Sequence, residues 1–152
     1  MLEIGDKAPD FDLPEGSPAA TLHELAKRAG RAVVYFYPAD NTPACTAEAC
    51  MFRDASVELE PAFPDGAPIV GVSPQSESSH KRFAERYRLG FTLIADTDKA
   101  VIRAYGCQGL FGLLVRRATF VLDAEATITD RIVADLNVGR HKRAVKSLSR
   151  PH

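Results

Sequence analysis

Three short runs of strand-forming residues mark the chain at Ala32-Val-Val-Tyr-Phe-Tyr37, Ile69-Val-Gly-Val72 and Thr92-Leu-Ile-Ala95. The first has no polar interruption, as a strand covered on both faces requires, and Pro38 ends it. Helical spacing fills the intervals. Thr21-Leu-His-Glu24 fits a capping box opening a short helix, with Gly30 suited to its C-terminal side. A long helix is predicted from Ala44 to Leu59, with Ala49, Met51, Phe52 and Leu59 among its apolar positions. Pro61 and Pro64-Asp-Gly66 stop it. Ser76 can cap a helix to about Leu89 that carries Phe83, Ala84 and Tyr87, and Asp98 can cap a short one to Tyr105. Gly106 to Leu114, with three glycines, reads as a loop. Ala118-Thr-Phe-Val-Leu122 and Thr127-Ile-Thr-Asp-Arg-Ile-Val133 flank Asp123-Ala-Glu-Ala126 as a hairpin, and Arg140 to Leu148 forms a last, basic helix. Pro9, Pro14 and Gly16 leave the first residues to turns and a short edge strand. Helices between the early strands and a closing hairpin predict an α/β fold, a mixed central sheet with helices on both faces. Nothing marks a second domain, so residues 1–152 read as one.

Composition narrows the chemistry. A formal net charge of −1 leaves no global field for nucleic acid or an anionic membrane. The tail bearing Arg140, Lys142, Arg143, Lys146 and Arg150 is therefore read as a solvated helix face rather than a nucleic-acid site. No apolar run approaches a membrane span, and Met1-Leu-Glu-Ile-Gly-Asp-Lys7 has no basic head followed by an apolar stretch; no signal peptide is expected, and the cytoplasm is the default address. The three cysteines are too few, and odd in number, for a secreted disulfide scaffold, which turns attention to their surroundings. Cys45, Cys50, Cys107 and the scattered histidines fit no standard metal-ligand spacing, so neither metal nor cofactor is expected.

Cys45 lies in the first turn of the long helix, after strand, Pro38, turn and Thr42-Pro43. Proline suits the first helical position, and a thiol there meets unpaired backbone N–H groups and the positive end of the helix dipole. Both favour thiolate, the reactive form of cysteine. The Thr42 hydroxyl, three residues before the sulfur, can cap the helix or donate to an anion. Arg116 and Arg117 alternate across the strand that starts the hairpin, and residue type alone does not choose between them.

The segment from Tyr35 to Cys50, Tyr-Phe-Tyr-Pro-Ala-Asp-Asn-Thr-Pro-Ala-Cys-Thr-Ala-Glu-Ala-Cys, resembles the active-site segment of peroxiredoxins, with Pro38, Thr42 and Cys45 standing in the P-x-x-x-T-x-x-C signature. A second cysteine five residues on resembles the bacterioferritin comigratory protein (PrxQ) group. Val72 to Tyr87 is similar to the family's next strand and helix, Arg117 to Asp123 to its hairpin strand with the active-site arginine, and Gly139-Arg-His141 with the helix beyond also fits. Ala44 stands where glycine is common, and Cys107 where an aliphatic residue is more usual. The resemblance implies a thioredoxin-like fold and a peroxidase acting on hydrogen peroxide and organic hydroperoxides.

In that family pattern Cys45 is the nucleophile and Arg117 the guanidinium beside sulfur and peroxide. Thr42 and the Cys45 N–H contact peroxide and thiolate, Pro38 shields the sulfur, and Glu48 orients Arg117. The product, a sulfenic acid, condenses with a second thiol, for which Cys50 is the candidate. Residues five apart on an ideal helix have Cα atoms about 8.7 Å apart, whereas a disulfide tolerates about 7 Å. A Cys45–Cys50 bond therefore requires residues 43 to 52 to unwind. Other readings keep Cys50 as a core residue with the resolving thiol coming from Cys107 or a partner, or make the chain a thiol-disulfide oxidoreductase of the same fold. The latter normally carries C-x-x-C, not the C-x4-C found here. Thioredoxin or a similar dithiol is the implied reductant, and monomer, with a weak dimer as the other state, the implied assembly. Tyr35 and Tyr37 are read as strand packing, His80 and His141 as surface helix residues, and Cys107 as a bystander in an exposable loop.

Overall fold

The sheet is built on Arg31–Phe36 (β1). On one side β1 pairs in parallel with Ile69–Ser73 (β2), which pairs in parallel with Thr92–Ala95 (β3). On the other it pairs antiparallel with Ala118–Asp123 (β4), which turns back as Ile128–Val133 (β5). The helices are Leu22–Ala29 (α1), Pro43–Leu59 (α2), Glu77–Tyr87 (α3), Ala100–Ala104 (α4) and Lys142–Leu148 (α5), with a 3₁₀ turn at Val138–His141 before α5. This computed structural model describes residues 1–59, 61–64, 66–109, 112, 114–134 and 138–149. Asp65, Leu110, Phe111, Leu113, Asp135, Arg150 and parts of the turn, loop and tail expectations lie outside them.

Strand alternation sorts the core into two layers. Ala32, Val34 and Phe36 of β1, with Ala118, Phe120 and Leu122 of β4, pack against Leu22, Leu25 and Ala26 of α1 and Ile102 of α4. Val33 and Tyr35, with Val121, face the other way, onto Cys45, Ala49 and Phe52 of α2, Phe83 of α3, and Ala144, Val145 and Leu148 of α5. Helices on both faces of a mixed sheet are thus as the sequence predicted. An extra residue at the irregularity between Val121 and Leu122 lets Ile128 and Ile132, two strand positions of equal parity, enter opposite layers.

Most boundaries follow their chemical signals. Thr21 accepts from Glu24 N as the cap of α1, and Gly30 ends that helix at φ 83°. Pro43 is the first residue of α2. Three expectations shift. The helix capped by Ser76 ends at Tyr87, because Arg88 turns left-handed and Leu89 N bonds back to Ala84 O. The cap of α4 lies mainly on Asp96, whose carboxylate takes Val101 N and Ile102 N, while Asp98 takes only Ala100 N. The basic tail begins as a 3₁₀ turn and becomes α-helical only at Lys142.

Gly71 shows how tightly the α2 side is packed. Its register partner is Tyr35, and a Cβ at Gly71 would lie 2.9 Å from the Tyr35 ring and from Leu93 Cδ2. The ring cannot easily move, because it stacks on Phe52 at 4.4 Å and on Tyr37 at 5.4 Å. Gly71→Ala is expected to destabilise the fold by about 1–3 kcal/mol, the range for overpacking a filled core. Urea unfolding checks this; an unchanged midpoint would mean that the ring yields freely.

Candidate active site

The β1 strand runs into Pro38, and the chain then turns through Asn41, which adopts φ 61°, a conformation asparagine tolerates better than most residues. Thr42 closes the turn by donating from Oγ1 to the Ala39 carbonyl (3.0 Å). Its own carbonyl accepts the first helical hydrogen bond, from Thr46 N (2.8 Å). The hydroxyl proton is thus committed to the loop, and the Thr42 lone pairs remain for an incoming donor. Pro38 is half-buried, and its carbonyl accepts from Ser73 Oγ at 3.4 Å. Cys45 sits in the first turn of α2, 1% exposed.

The choice between the two arginines is settled by strand parity. Arg117 falls in the same alternation as Thr119 and Val121, toward α2, and is buried, whereas Arg116 is exposed. From there Arg117 Nη2 donates to Cys45 Sγ at 3.0 Å and Nη1 to Glu48 Oε1 at 2.8 Å. Glu48 lies one helical turn after Cys45 and is fully buried. One rigid guanidinium therefore bridges two groups on one face of α2. Its charge is permanent and lies against the sulfur. Burial pushes the Glu48 carboxyl up to about 7, against the opposite pull of Arg117.

Two residues expected on the surface are buried. His80 is 5% exposed; Nδ1 lies 2.7 Å from Asp40 Oδ2 and Nε2 2.9 Å from Ile94 O. Tyr37 Oη (2.6 Å) and Ser79 Oγ (2.7 Å) also donate to Asp40. Burial alone would raise the Asp40 carboxyl, but the hydrogen bonds from His80, Tyr37 and Ser79 hold it below its ordinary value. Asp40 belongs to the loop that carries Pro38 and Thr42, so this cluster ties that loop to α3 and β3. His141 is wholly buried, with Nδ1 2.6 Å from Thr119 Oγ1 and Nε2 3.1 Å from Ala134 O. The missed signal was spacing. His80 precedes Phe83, Ala84 and Tyr87, and His141 precedes Ala144, Val145 and Leu148, by three, four and seven residues, the stripe of a buried helix face.

The cysteines separate by position. Cys50 is half-buried on α2 and Cys45 buried on it, and both are free thiols. Successive residues turn about 100°, so five residues place the two side chains roughly 140° apart around the helix. Cys107, expected in an exposable loop, is fully buried in the layer on the opposite side of the sheet, where burial pushes its thiol up to about 12. Among the described residues, no cluster of His, Cys, Asp or Glu is placed to hold a metal ion, and no helix is long and apolar enough to cross a membrane.

Glu48 makes stability depend on pH in a definite direction. Folding raises its carboxyl from an ordinary value of 4.5 to about 7, so between these values the folded chain keeps a proton that the unfolded chain releases. The stabilisation is complete below the lower value and is lost as pH rises through the upper one. The loss from this group is roughly 3 kcal/mol, from about 1.4 kcal/mol per pH unit. Glu48→Gln should flatten the stability profile in that window. Urea unfolding across the range checks it, and a variant with the parent's slope would overturn it.

Comparison with known proteins agrees with this geometry. The family model described as AhpC/TSA family matches residues 4–131. A chloroplastic peroxiredoxin Q of Sedum lineare is 44% identical over 128 residues, 82% of this chain and 65% of that protein. The chain thus spans just under two thirds of that relative's length. A peroxiredoxin bcp of Coxiella burnetii is 38% identical over 135 residues, 84% of this chain and 86% of that one. The crystal structure of the peroxidoxin BcpB from Mycobacterium tuberculosis superimposes with a TM-score of 0.80 at 34% identity, covering 97% of each chain. A match over most of the length, on a sheet that aims Arg117 at Cys45, places this chain in the AhpC/TSA family, among the peroxiredoxins of the Q and bcp type.

Proposed function

We propose that the chain reduces hydrogen peroxide and organic hydroperoxides through Cys45, and that Cys50 resolves the oxidised sulfur. The contact that carries this reading is the 3.0 Å approach of Arg117 Nη2 to Cys45 Sγ. A buried guanidinium on a cysteine at a helix N-terminus supplies the two things peroxide reduction needs: a thiolate, and positive charge where the leaving oxygen turns anionic. In this reading the attacking species is the thiolate, so no general base is required.

The Cys45 thiolate attacks one peroxide oxygen. An S–O bond forms, the O–O bond breaks, and the other oxygen leaves as hydroxide or alkoxide and takes up a proton. Sulfur is oxidised to sulfenic acid and the peroxide reduced to water or an alcohol. In this reading the Thr42 oxygen, its proton held by Ala39, accepts from the peroxide O–H. The Cys50 thiol then condenses with the sulfenic acid, expelling water and forming the disulfide. An external dithiol of the thioredoxin kind reduces that bond and is itself oxidised.

Support for Cys50 over Cys107 is positional: Cys50 shares α2 with Cys45, while Cys107 lies across the sheet. The condensation requires the first turns of α2 to open, because the helical positions hold the two sulfurs on different faces. A reducing compartment, the cytoplasm by default, suits this cycle.

Serine variants separate the roles. Cys45→Ser should abolish both single-turnover peroxide consumption and turnover with a thioredoxin system. Cys50→Ser should keep the first turnover and lose recycling. On oxidation, amide exchange near residues 43–52 should speed up. Equal loss of the first turnover in both variants would sink the assignment, and so would an oxidised chain whose α2 amides stay protected while Cys45 and Cys50 are bonded.

A further inference from the structure

One buried side chain touches this machinery without belonging to the reaction as described. His141 Nε2 lies 3.6 Å from Glu48 Oε2, the carboxylate oxygen that Arg117 leaves free. At that length the contact is electrostatic rather than a hydrogen bond. The ring is also held at both nitrogens. Nδ1 meets Thr119 Oγ1 at 2.6 Å, and Nε2 meets Ala134 O at 3.1 Å. A carbonyl only accepts, so its partners assign the proton to Nε2, which donates it to Ala134 O and leaves the positive N–H end of the ring 3.6 Å from Glu48 Oε2. Both side chains are fully buried. The ring arrives from the 3₁₀ turn Val138–His141, seated by Ala144, Val145 and Leu148 of α5 in the layer that also holds Cys45.

Glu48 needs such a neighbour. A carboxylate removed from water is stable as an anion only if its oxygens find donors or positive charge. Arg117 Nη1 bonds Oε1, and Oε2 has no hydrogen-bond partner among the described residues. Burial brings Glu48 close to the point where it takes up a proton, and a neutral carboxyl grips a guanidinium less firmly than an anion does. The positive N–H end of the His141 ring, 3.6 Å from Oε2, tilts the balance toward the anion.

We propose that His141 is a positioning residue: its Nε2–H keeps Glu48 as the anion that holds the Arg117 fork on the Cys45 sulfur. The inference rests on the reading of Cys45 as nucleophile with Arg117 beside it. It carries a signature that loss of packing would not produce. Without His141, Glu48 becomes neutral and loosens Arg117, so attack on peroxide slows. The same change removes a negative charge near the sulfur, which offsets the looser hold of Arg117, so the thiolate forms as readily as before. The two quantities come apart.

The test uses the full chain with His141→Leu, His141→Gln and Cys45→Ser. Two rates are read across pH: single-turnover reaction with hydrogen peroxide, and alkylation of Cys45 by iodoacetamide. His141→Leu should lower the high-pH plateau of the peroxide rate by roughly tenfold, the effect of losing about 1.4 kcal/mol of transition-state stabilisation. The alkylation midpoint should not rise. His141→Gln, which restores an N–H near the Nε2 position, should recover most of the rate. In a Glu48→Gln background His141→Leu should have no further effect. The proposal falls if His141→Leu reacts with peroxide at the parent rate, if leucine and glutamine behave alike, or if the loss persists undiminished without Glu48. Should the leucine variant fail to fold, Thr119→Val, which frees the ring at Nδ1, carries the test: a plateau loss that vanishes in the Glu48→Gln background supports the proposal, and an unchanged plateau overturns it. Cys45→Ser keeps the two readings apart. Peroxide reaction surviving in that variant defeats the nucleophile assignment itself, whereas an inert Cys45→Ser beside an unaffected His141→Leu defeats only the role of His141.

Discussion

Arg117 is buried with its guanidinium divided between the Cys45 sulfur and the Glu48 carboxylate, and the neighbouring structure is arranged to make that division tolerable. A charge removed from water is costly unless anions meet it at hydrogen-bonding distance. Two rigid elements bring its partners. The α2 helix presents Cys45 and Glu48 one turn apart on one face, and β4 delivers Arg117 to them by strand parity. The planar fork fits because its donors diverge, which a lysine ammonium on a flexible stem cannot reproduce. Sheet order, strand direction and the helix start at Pro43 can all be read as conditions on this one contact.

The same arrangement sets two demands against each other. Holding the sulfur under Arg117 requires the first turns of α2 to be well formed, since the exposed N–H groups and the dipole exist only in the helix. Forming the proposed disulfide requires those turns to come apart. The loop before α2 is therefore more than a connector. Asp40 fastens it through Tyr37, Ser79 and His80 to elements that need not move. The fastening lies on the loop side of Thr42, and the unwinding on the helix side. Opening of α2 can then leave the Pro38 end of the site in place.

The elements and the nucleophile were legible in the residues. Uninterrupted apolar runs marked β1 and β2, cap chemistry marked the starts of α1 and α3, and Thr42-Pro43 ahead of Cys45 marked a thiol at a helix N-terminus. These signals are local, because propensity, capping and alternation act over a few residues. The errors were also of one kind. His80 and His141 were read by residue type as surface groups, although each opens an apolar stripe, and Cys107 was read by its glycine-rich neighbours as exposable. Polarity outweighed spacing in those readings.

What the chain determines by itself is the order of strands and helices, and the identity of a cysteine whose backbone surroundings favour thiolate, since both follow from contacts within a turn or two. Tertiary structure alone decided which partners distant segments supply. It placed His141 against Glu48, tied Asp40 to His80, and put Cys107 across the sheet from Cys45. Those pairings depend on the register of β4 against β1 and on how α2, α3 and α5 seat on one face, and such contacts between residues far apart in the chain leave no mark in any short stretch of it.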